Sequence, residues 1–297
     1  MARVTVGVPV YNAEPFLEEC LDNLLGQTFR DIRIVVSDNG STDRTWEIAQ
    51  SVAARDSRVE IIRQAENLGP LANFEAVCAA ADTPYFLWRA HDDLSDANYI
   101  AELVTLLDGA PRAQLAVGRI ASRGMDCTLR EEVDFIQRRP WDSDLIYAIR
   151  LLFGAHPSFI YGLFRREAAG ESLRRVIRTF GHVRAWDIVA VFPFLVSRRI
   201  VGTDRTTFVQ RLPVRQQGPR GRTFRDPDTM AKLRRDWVAY CVAYLPELEP
   251  NPVARFVLRL AVDLRVGYRR KILSARYRVW RGEKPVAGNY ELMQPGP

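Results

Sequence analysis

The first hundred residues alternate short apolar runs with longer stretches whose apolar residues recur at helical spacing. The apolar runs, each typical of a buried strand, are Val4–Val10, Ile32–Ser37, Val59–Arg63 and Tyr85–Arg89. The stretches between them, at 14–25, 42–54 and 71–81, are predicted to be helices. Strands separated by helices of about 10–15 residues predict βαβ units and a mostly parallel sheet.

The rest of the chain has a less regular pattern. Spacing predicts helices over 99–107, 144–153 and 229–245 and a strand over 114–120, whereas 121–139 and 211–228 have the composition of loops. The longest apolar stretch, Ala185–Val196, contains Asp187 and Pro193 and is too short to span a bilayer. We therefore predict that it is a buried core segment.

Polar residues follow each predicted strand of the first half. They are Tyr11 and Asn12, then Asp38 and Asn39, then Asn67, then Asp92 and Asp93. Ligands of parallel sheets bind beyond the carboxyl ends of the strands. All four groups are therefore predicted to meet at one edge of the sheet.

Two of these groups carry candidate chemistry. Adjacent carboxylates such as Asp92 and Asp93 repel each other unless they meet a cation or a donor. Mg²⁺ or Mn²⁺ fits, because it accepts one or two carboxylates and completes its shell with phosphate oxygens and water. A helix N-cap pair is the alternative. Asp38 can accept a hydrogen bond from a nucleobase imide, or it can form an Asx-turn.

Four segments occur in order with strand and helix spacing between them: Val8–Asn12, Ser37–Asp43, Asn67–Phe74 and His91–Leu94. Together they resemble the family 2 glycosyltransferases of the GT-A fold, with a further similarity at Ile160–Arg166 and at Trp186-Asp187. The resemblance implies an α/β fold: one nucleotide-binding domain with a central mixed, mostly parallel sheet flanked by helices, and a C-terminal helical extension. It divides the chain into a donor-binding half (1–115), an acceptor-binding half (116–228) and a basic helical region (229–297).

The resemblance also implies an activity, the inverting transfer of a sugar from a nucleoside-diphosphate sugar to an acceptor hydroxyl. A divalent metal, Mg²⁺ or Mn²⁺, would be held by Asp93 and Asp92. Many members have an Asp-x-Asp-Asp version of this motif, and Ala90 occupies its first position here, so fewer carboxylates would hold the metal. The residues implied to bind the donor are Pro9, Tyr11, Asn12, Asp38, Asn67, Asn73, Asp92 and Asp93.

Inversion needs a base that takes the proton of the acceptor hydroxyl. Asp187 is the candidate, because it lies in an apolar stretch where desolvation would raise its pKa. The alternatives are Asp142 and Asp144, and Asp187 can instead serve only as a helix N-terminal carboxylate. His182 is either a metal or phosphate ligand or a structural residue. The Arg-rich stretch 211–225 is either a lid over a diphosphate or a solvated loop.

The formal net charge of the chain is +6, and basic residues are concentrated toward its C-terminus. From Asn251 onward, apolar residues recur at helical spacing among many Arg residues, which predicts a basic amphipathic helix. It either packs on the catalytic part with a solvated basic face, or binds an anionic membrane surface. A glycan or lipid-linked acceptor, used in cell-surface polysaccharide or glycolipid synthesis, would then place the enzyme in the cytoplasm on the inner face of the plasma membrane.

Other classes fit the sequence less well. The four cysteines form no CxxC pair, which argues against a zinc or redox motif. No GxGxxG follows a strand, and no Gly-rich loop follows the first one, which argues against a dinucleotide-dependent oxidoreductase and a sugar nucleotidyltransferase. We expect no nucleic-acid partner, because basic charge alone does not explain the ordered acidic clusters. A non-catalytic nucleotide- or membrane-binding module of the same fold remains the alternative.

Overall fold

The computed structural model describes residues 2–212 and 227–267 of the 297-residue chain. The N-terminal part forms strands β1 (Val4–Val10), β2 (Ile32–Asp38), β3 (Val59–Arg63) and β4 (Tyr85–Trp88). Helices α1 (Leu17–Leu25), α2 (Thr45–Arg55) and α3 (Pro70–Ala79) connect them. The predicted βαβ alternation is confirmed, and the element ends differ from the predicted ones by three residues at most.

The remaining strands of the described residues join the same sheet. They are β5 (Leu94–Ser95), β6 (Leu115–Gly124), β7 (Leu129–Val133), β8 (Leu163–Arg165) and β9 (Ile200–Leu212). The order is β3-β2-β1-β4-β8-β6-β9-β5, with β7 paired to β6. β1 pairs parallel to β2 and β4, whereas β8 runs antiparallel to β4 and β6. The predicted mixed, mostly parallel sheet is thus confirmed.

Helices of the second half pack around this sheet and against one another. They are α4 (Tyr99–Gly109), α5 (Asp144–Gly154), a 3₁₀ helix (Pro157–Tyr161), α6 (Arg166–Thr179), α7 (Trp186–Val196), α8 (Pro227–Leu248) and α9 (Pro252–Val266). The prediction for the longest apolar stretch is confirmed, since every residue of α7 is buried except Asp187. None of the helices in 2–212 and 227–267 is long and apolar enough to cross a membrane.

The loop predicted over 121–139 is wrong in part. β6 continues to Gly124, and Leu129–Val133 returns antiparallel to it as β7. Four of the five β7 residues are exposed, so charged side chains face water on a strand at the side of the sheet. Such a strand lacks the apolar alternation that identifies a half-buried strand in a sequence.

Several further elements were not predicted, and α6 and β9 are the longest of them. α6 has a charged face, and only a few small or aliphatic residues are buried, among them Ala169, Leu173 and Val176. β9 has a mixed pattern of buried and half-buried positions along its 13 residues, because it pairs with β6 on one side and with the short β5 on the other.

Candidate functional site

The carboxyl ends of β1, β2 and β3 lie at one edge of the sheet, as predicted. The parallel register pairs Val10 with Asp38 and Asp38 with Arg63. Beyond β1, Asn12 adopts a left-handed backbone with φ of 50°, which Asn tolerates better than most residues. Its N–H donates to Ser41 Oγ at 2.9 Å, and its Oδ1 accepts from the Thr42 N–H at 2.9 Å. Asn12 therefore ties the loop after β1 to the loop after β2.

Tyr11, next to this tie, is 42% exposed. Pro9 lies within β1 opposite Ser37 and has the buried surroundings of the whole strand. The aromatic ring of Tyr11 is thus open to a ligand at the sheet edge, whereas Pro9 shapes the strand beneath it.

Asp38 is fully buried at the end of β2, and its two carboxylate oxygens have different surroundings. Oδ1 accepts from the Ser41 N–H at 3.0 Å, which is the turn-forming role that the sequence allowed. Oδ2 lies 3.3 Å from Arg63 Nε but has no hydrogen-bond partner among the described residues. A buried acceptor without a partner is costly, so Oδ2 is suited to a donor supplied by a ligand.

Three asparagines hold the loops around Asp38. Asn39 donates to Asn67 Oδ1 at 2.9 Å, and its own Oδ1 accepts from the Leu68 N–H at 2.9 Å. Asn73, which is buried, donates to the carbonyls of Val10 and Ser37, while its Oδ1 has no partner among the residues described. Asn67 and Asn73 thus stabilise the framework of the predicted donor site.

Asp93 is buried at the turn that follows β4. Its Oδ1 accepts from the backbone N–H of Arg211 at 2.8 Å. Burial and then the charge of Asp92 raise the pKa of Asp93 to about 7. The Arg211 side chain closes the same region: Nε donates to the Asp92 carbonyl, Nη1 lies 2.5 Å from Glu19 Oε2, and the guanidinium is 5.3 Å from the Phe16 ring centroid.

Arg89 supplies a positive charge beneath this acidic pair. Its side chain is fully buried, donates to Ser95 Oγ at 2.8 Å and lies 5.2 Å from the Phe208 ring centroid. Its hydrogen-bond partners are neutral, and its charge lowers the pKa of Asp93, against the effect of burial. A buried cation needs compensation, and the nearby Asp93 provides it.

The acidic pair fits a divalent metal as a partial set of ligands. No group of three His, Cys, Asp or Glu side chains in 2–212 and 227–267 could hold a metal ion by itself. Mg²⁺ and Mn²⁺ sites built from one or two carboxylates are completed by substrate phosphates and water. Burial and then the charge of Asp92 disfavour the ionised form of Asp93, and a bound cation would stabilise that form.

Asp187, the candidate base, lies in the first turn of α7. Its Oδ1 accepts from the Ile188 N–H at 2.8 Å, and burial raises its pKa. The preceding Trp186 packs edge-on against Phe74 with ring centroids 4.7 Å apart and contacts Trp88 at 6.4 Å. Trp88 ends β4, so one aromatic cluster fixes the base candidate relative to the strand that leads to Asp92 and Asp93.

The charges of both sets of carboxylates act on Tyr161. Burial raises its pKa well above the usual value, and the charges of Asp93, Asp187 and Asp92 raise it further. The ring stacks on Phe208 with centroids 5.1 Å apart and planes 15° apart. The acidic pair and Asp187 thus lie close enough to Tyr161 for the charges of all three carboxylates to act on one phenol.

The alternative bases have other partners. Asp142 is buried and accepts from Arg150 and from the Arg139 N–H. Burial tends to raise the pKa of Asp142, but the Arg139 hydrogen bond and the Arg150 charge together lower it. The exposed Asp144 pairs with Arg138 at 2.7 Å. A carboxylate held by an arginine is a weak proton acceptor, so these contacts favour Asp187.

His182 and the arginine-rich stretch can now be placed. His182 Nε2 lies 2.8 Å from Asp236 Oδ2, which is a structural contact between the α6–α7 loop and α8. Of the stretch 211–225, Arg211 is held in the site with only 14% of its side chain exposed, so it is not part of a solvated loop. Residues 213–225 lie outside the described part of the chain.

Sequence reasoning missed Arg89 and Tyr161 as site residues. The signal for Arg89 was present, since an arginine directly follows the apolar run Tyr85–Trp88. Tyr161 was noted only inside a motif, because its role depends on distances to Asp93 and Asp187 that no local pattern encodes.

Comparison with known proteins agrees with this geometry. The profile of the family described as Glycosyl transferase family 2 matches residues 5–173, more than half of the chain. A Bacillus subtilis relative, described as the uncharacterized glycosyltransferase EpsJ, is 52% identical over 96 residues, which are 32% of this chain and 28% of that protein. The glycosyltransferase GlyA of Streptococcus pneumoniae is 35% identical over 120 residues, 40% of this chain and 17% of that protein. The chain thus spans less than a third of either relative.

Solved structures share the fold at low sequence identity. Staphylococcus aureus TarS 1–349 in complex with UDP-GlcNAc superposes with a TM-score of 0.65 at 16% identity, covering 95% of this chain and 78% of that one. The mannosyltransferase PcManGT of Pyrobaculum calidifontis, in complex with GDP-Man and Mn²⁺, superposes with a TM-score of 0.51 at 18% identity, covering 95% of this chain and 83% of that one.

Proposed function

The chain belongs to glycosyl transferase family 2, and on that premise we propose that it is an inverting transferase that uses a nucleoside-diphosphate sugar. The observation that carries the proposal is the contact of Trp186 with Trp88, which holds Asp187 near the strand that leads to Asp92 and Asp93. Donor-side carboxylates and a separate carboxylate suited to be a base are the two parts that this reaction needs.

The donor nucleotide would lie across the carboxyl ends of β1, β2 and β4. Asp38 Oδ2 would accept from the imide N–H of the base, and the exposed Tyr11 would stack near it. Asn12 and Pro9 would form the wall of this pocket, while Asn67 and Asn73 would hold the loops that surround it. This assignment is supported by Asp38 Oδ2, which is buried and accepts no hydrogen bond within the described residues.

In the reaction, Asp187 would take the proton of the acceptor hydroxyl as its oxygen attacks the anomeric carbon. The bond from that carbon to the diphosphate oxygen breaks at the same time, and the electron pair leaves with the nucleoside diphosphate. Attack opposite the leaving group inverts the anomeric configuration. The raised pKa of Asp187, caused by burial, makes it a stronger base than an ordinary aspartate.

Asp93 and Asp92 would hold the divalent metal, Mg²⁺ or Mn²⁺. When bound, such an ion neutralises negative charge on the departing diphosphate. PcManGT, which has the same fold, was solved with GDP-Man and Mn²⁺, and TarS with UDP-GlcNAc, which supports a metal and a nucleotide sugar without deciding the nucleobase. The Arg211 guanidinium lies beside the pair and would bind the same diphosphate.

The acceptor that we propose is a glycan or lipid-linked molecule of cell-surface polysaccharide or glycolipid synthesis. Such an acceptor would place the enzyme in the cytoplasm, peripherally on the inner face of the plasma membrane. The support is the basic, amphipathic character of the C-terminal region.

The test is thermal stability against UDP, GDP, dTDP, ADP and CDP, each with and without Mn²⁺. A ligand that binds the native state raises the melting temperature by mass action. We expect one nucleotide to give a shift that depends on Mn²⁺ and is lost in Asp93→Ala. The matched control is Asp126→Ala, which removes an exposed carboxylate of the β6–β7 connection and should leave the shift unchanged. If no nucleotide shifts the wild type, the proposal fails and a non-catalytic module of this fold takes its place.

A further inference from the structure

Helix α9 carries four large apolar side chains on the side that faces solvent. Val253, Phe256, Leu260 and Leu264 are 70%, 62%, 47% and 43% exposed. Steps of three and four residues place them in one stripe along the helix. We call these four residues the outer stripe. Large apolar side chains that line up in this way are the kind of surface that marks an interaction site.

The outer stripe does not hold the fold together. A second face of α9, formed by Ala254, Leu258, Ala261 and Val262, is buried against α5 and α8. The helix thus packs on the rest of the chain, as the first of the two alternatives expected, but the face that it leaves in water carries apolar side chains as well as basic ones. The helix has two apolar faces, and one of them is uncovered in the described structure.

The position of α9 links the outer stripe to the acceptor side of the site. Arg265 is buried and donates to the carbonyls of Phe153 and Ala155, at 2.9 Å and 2.8 Å, where α5 ends. Phe153 is itself 41% exposed beside this contact. Arg265 also lines a small apolar cavity together with Ile188, the neighbour of Asp187. The helix therefore packs behind the turn that carries the candidate base.

The charge of this region selects the kind of partner. Arg259 is exposed and Arg255 half-exposed on α9, with Asp263 as the single acidic residue of the helix. In the sequence, residues 268–297 add seven Lys and Arg against two Glu. A second copy docked on this face through a two-fold axis would bring like charges together. An anionic bilayer offers both the apolar phase and the opposite charge.

We propose that α9 lies in the headgroup layer of an anionic membrane with the outer stripe, led by Phe256 and Leu260, inserted toward the acyl chains. The proposal deepens the function above and rests on it in one respect: the membrane brings a lipid-linked acceptor to the side of the site where Asp187 lies. Binding to the membrane itself requires no catalysis. It can therefore succeed or fail independently of the transferase activity.

The experiment measures co-sedimentation of the full chain with vesicles of phosphatidylcholine, with and without about one third phosphatidylglycerol. We expect the wild type to bind the anionic vesicles and to be released by high salt. Phe256→Ser combined with Leu260→Ser should weaken binding at least about tenfold. The matched control is Leu129→Ser on β7, whose side chain has the same chemistry and is 49% exposed. This variant should bind like the wild type.

Three outcomes would overturn the proposal: no binding of the wild type to anionic vesicles, equal binding of the double variant, or a dimer of the wild type that the double variant dissociates. A dimer that dissociates in the double variant would mean that a second copy of the chain covers the outer stripe. Melting curves of each variant with the nucleotide and Mn²⁺ provide the second readout. If the double variant loses vesicle binding but keeps the nucleotide-induced shift in melting temperature, the outer stripe acts in membrane binding alone. If the wild type binds vesicles but no nucleotide shifts its melting temperature, the membrane proposal is supported and the proposed transferase function is contradicted.

Discussion

The backbone N–H of Arg211 donates to Oδ1 of Asp93 at 2.8 Å, joining two residues that are 118 positions apart. Arg211 is the penultimate residue of β9, and Asp93 ends the turn after β4. The strand from the acceptor half thus closes the donor-side acidic pair. Because the guanidinium of the same residue reaches the Asp92 carbonyl and Glu19, Arg211 both positions the pair and places a cation beside it.

This relationship predicts the behaviour of Arg211→Gln. The backbone N–H to Asp93 remains in the variant, whereas the positive charge and the guanidinium contacts with Asp92 and Glu19 are removed. We expect the affinity for the nucleoside diphosphate to fall about tenfold, because a charge-assisted hydrogen bond contributes about 1.5–3 kcal/mol. Isothermal titration calorimetry with the nucleotide that stabilises the wild type measures the change.

The matched control for this prediction is Arg205→Gln. Arg205 lies on the same strand, but its side chain is 64% exposed and pairs with Glu102. Its substitution should leave the dissociation constant of the nucleotide unchanged. Equal weakening in both variants would mean that net positive charge, and not the contact beside Asp92 and Asp93, attracts the diphosphate.

The proposed base gives a second prediction. Asp187→Asn keeps the size of the side chain but cannot accept the proton of the acceptor hydroxyl. We expect kcat to fall by about 10²–10⁴ while nucleotide binding stays as in the wild type. Asp144→Asn, which changes an exposed carboxylate of the acceptor half, should retain activity. If the Asp187→Asn enzyme is active, Asp187 is not the base and another carboxylate takes the proton.

The raised pKa of Asp187 predicts the pH dependence of the reaction. The base must be ionised, so kcat/KM should rise with pH through the raised value. The midpoint of this limb should lie above the ordinary aspartate pKa of about 4. A limb centred at about pH 4 would show that Asp187 is not the group whose ionisation activates the enzyme.

The Asp187 carboxyl should make the folded protein less stable as pH rises, over the same range in which kcat/KM increases. The folded state binds the Asp187 proton more tightly than the unfolded state, because burial disfavours the carboxylate. The wild type therefore loses stability relative to Asp187→Asn as pH rises from about 4 through the raised pKa, and the difference is constant above it. Urea denaturation of both proteins across this range measures the effect. A wild type that gains stability over the variant with rising pH would contradict it.

The first half of the fold was predictable because its signals are local. The apolar run of β1 and the helical spacing of α3 each follow from positions close in sequence, and the edge chemistry of Asp38 follows from the end of a strand. The same reasoning found Asp187, since an acidic residue in an apolar helix stands out.

The missed features depend on long-range contacts. Arg89 is acceptable inside the protein only because Ser95, Asn23 and the charge of Asp93 surround it. β9 is a strand because β6 pairs with it over many residues, and β7 is recognisable only by its pairing with β6. The apolar spacing of α9 was read correctly as a helix, but sequence alone could not tell that Phe256 and Leu260 face water.

Gly40 tests the framework around Asp38. It has φ of 71°, and a Cβ built there would lie 3.0 Å from the Glu66 carbonyl carbon and 3.2 Å from the Asn67 nitrogen. In Gly40→Ala, the left-handed backbone alone costs about 1–2 kcal/mol, and the backbone at 66–67 must also move. That movement would stretch the hydrogen bond from Asn39 to Asn67 and disturb the loop facing Asp38. We therefore expect a lower free energy of unfolding together with weaker nucleotide binding, measured by urea denaturation and calorimetry.

The control is Gly109→Ala at the end of α4, where a Cβ meets nothing within 4 Å. There the substitution should be neutral or stabilise by about 0.5–1 kcal/mol, since alanine is the better helix former. If Gly40→Ala lowers stability but leaves nucleotide affinity intact, the loop formed by Asn39 and Asn67 supports the fold without shaping the donor pocket.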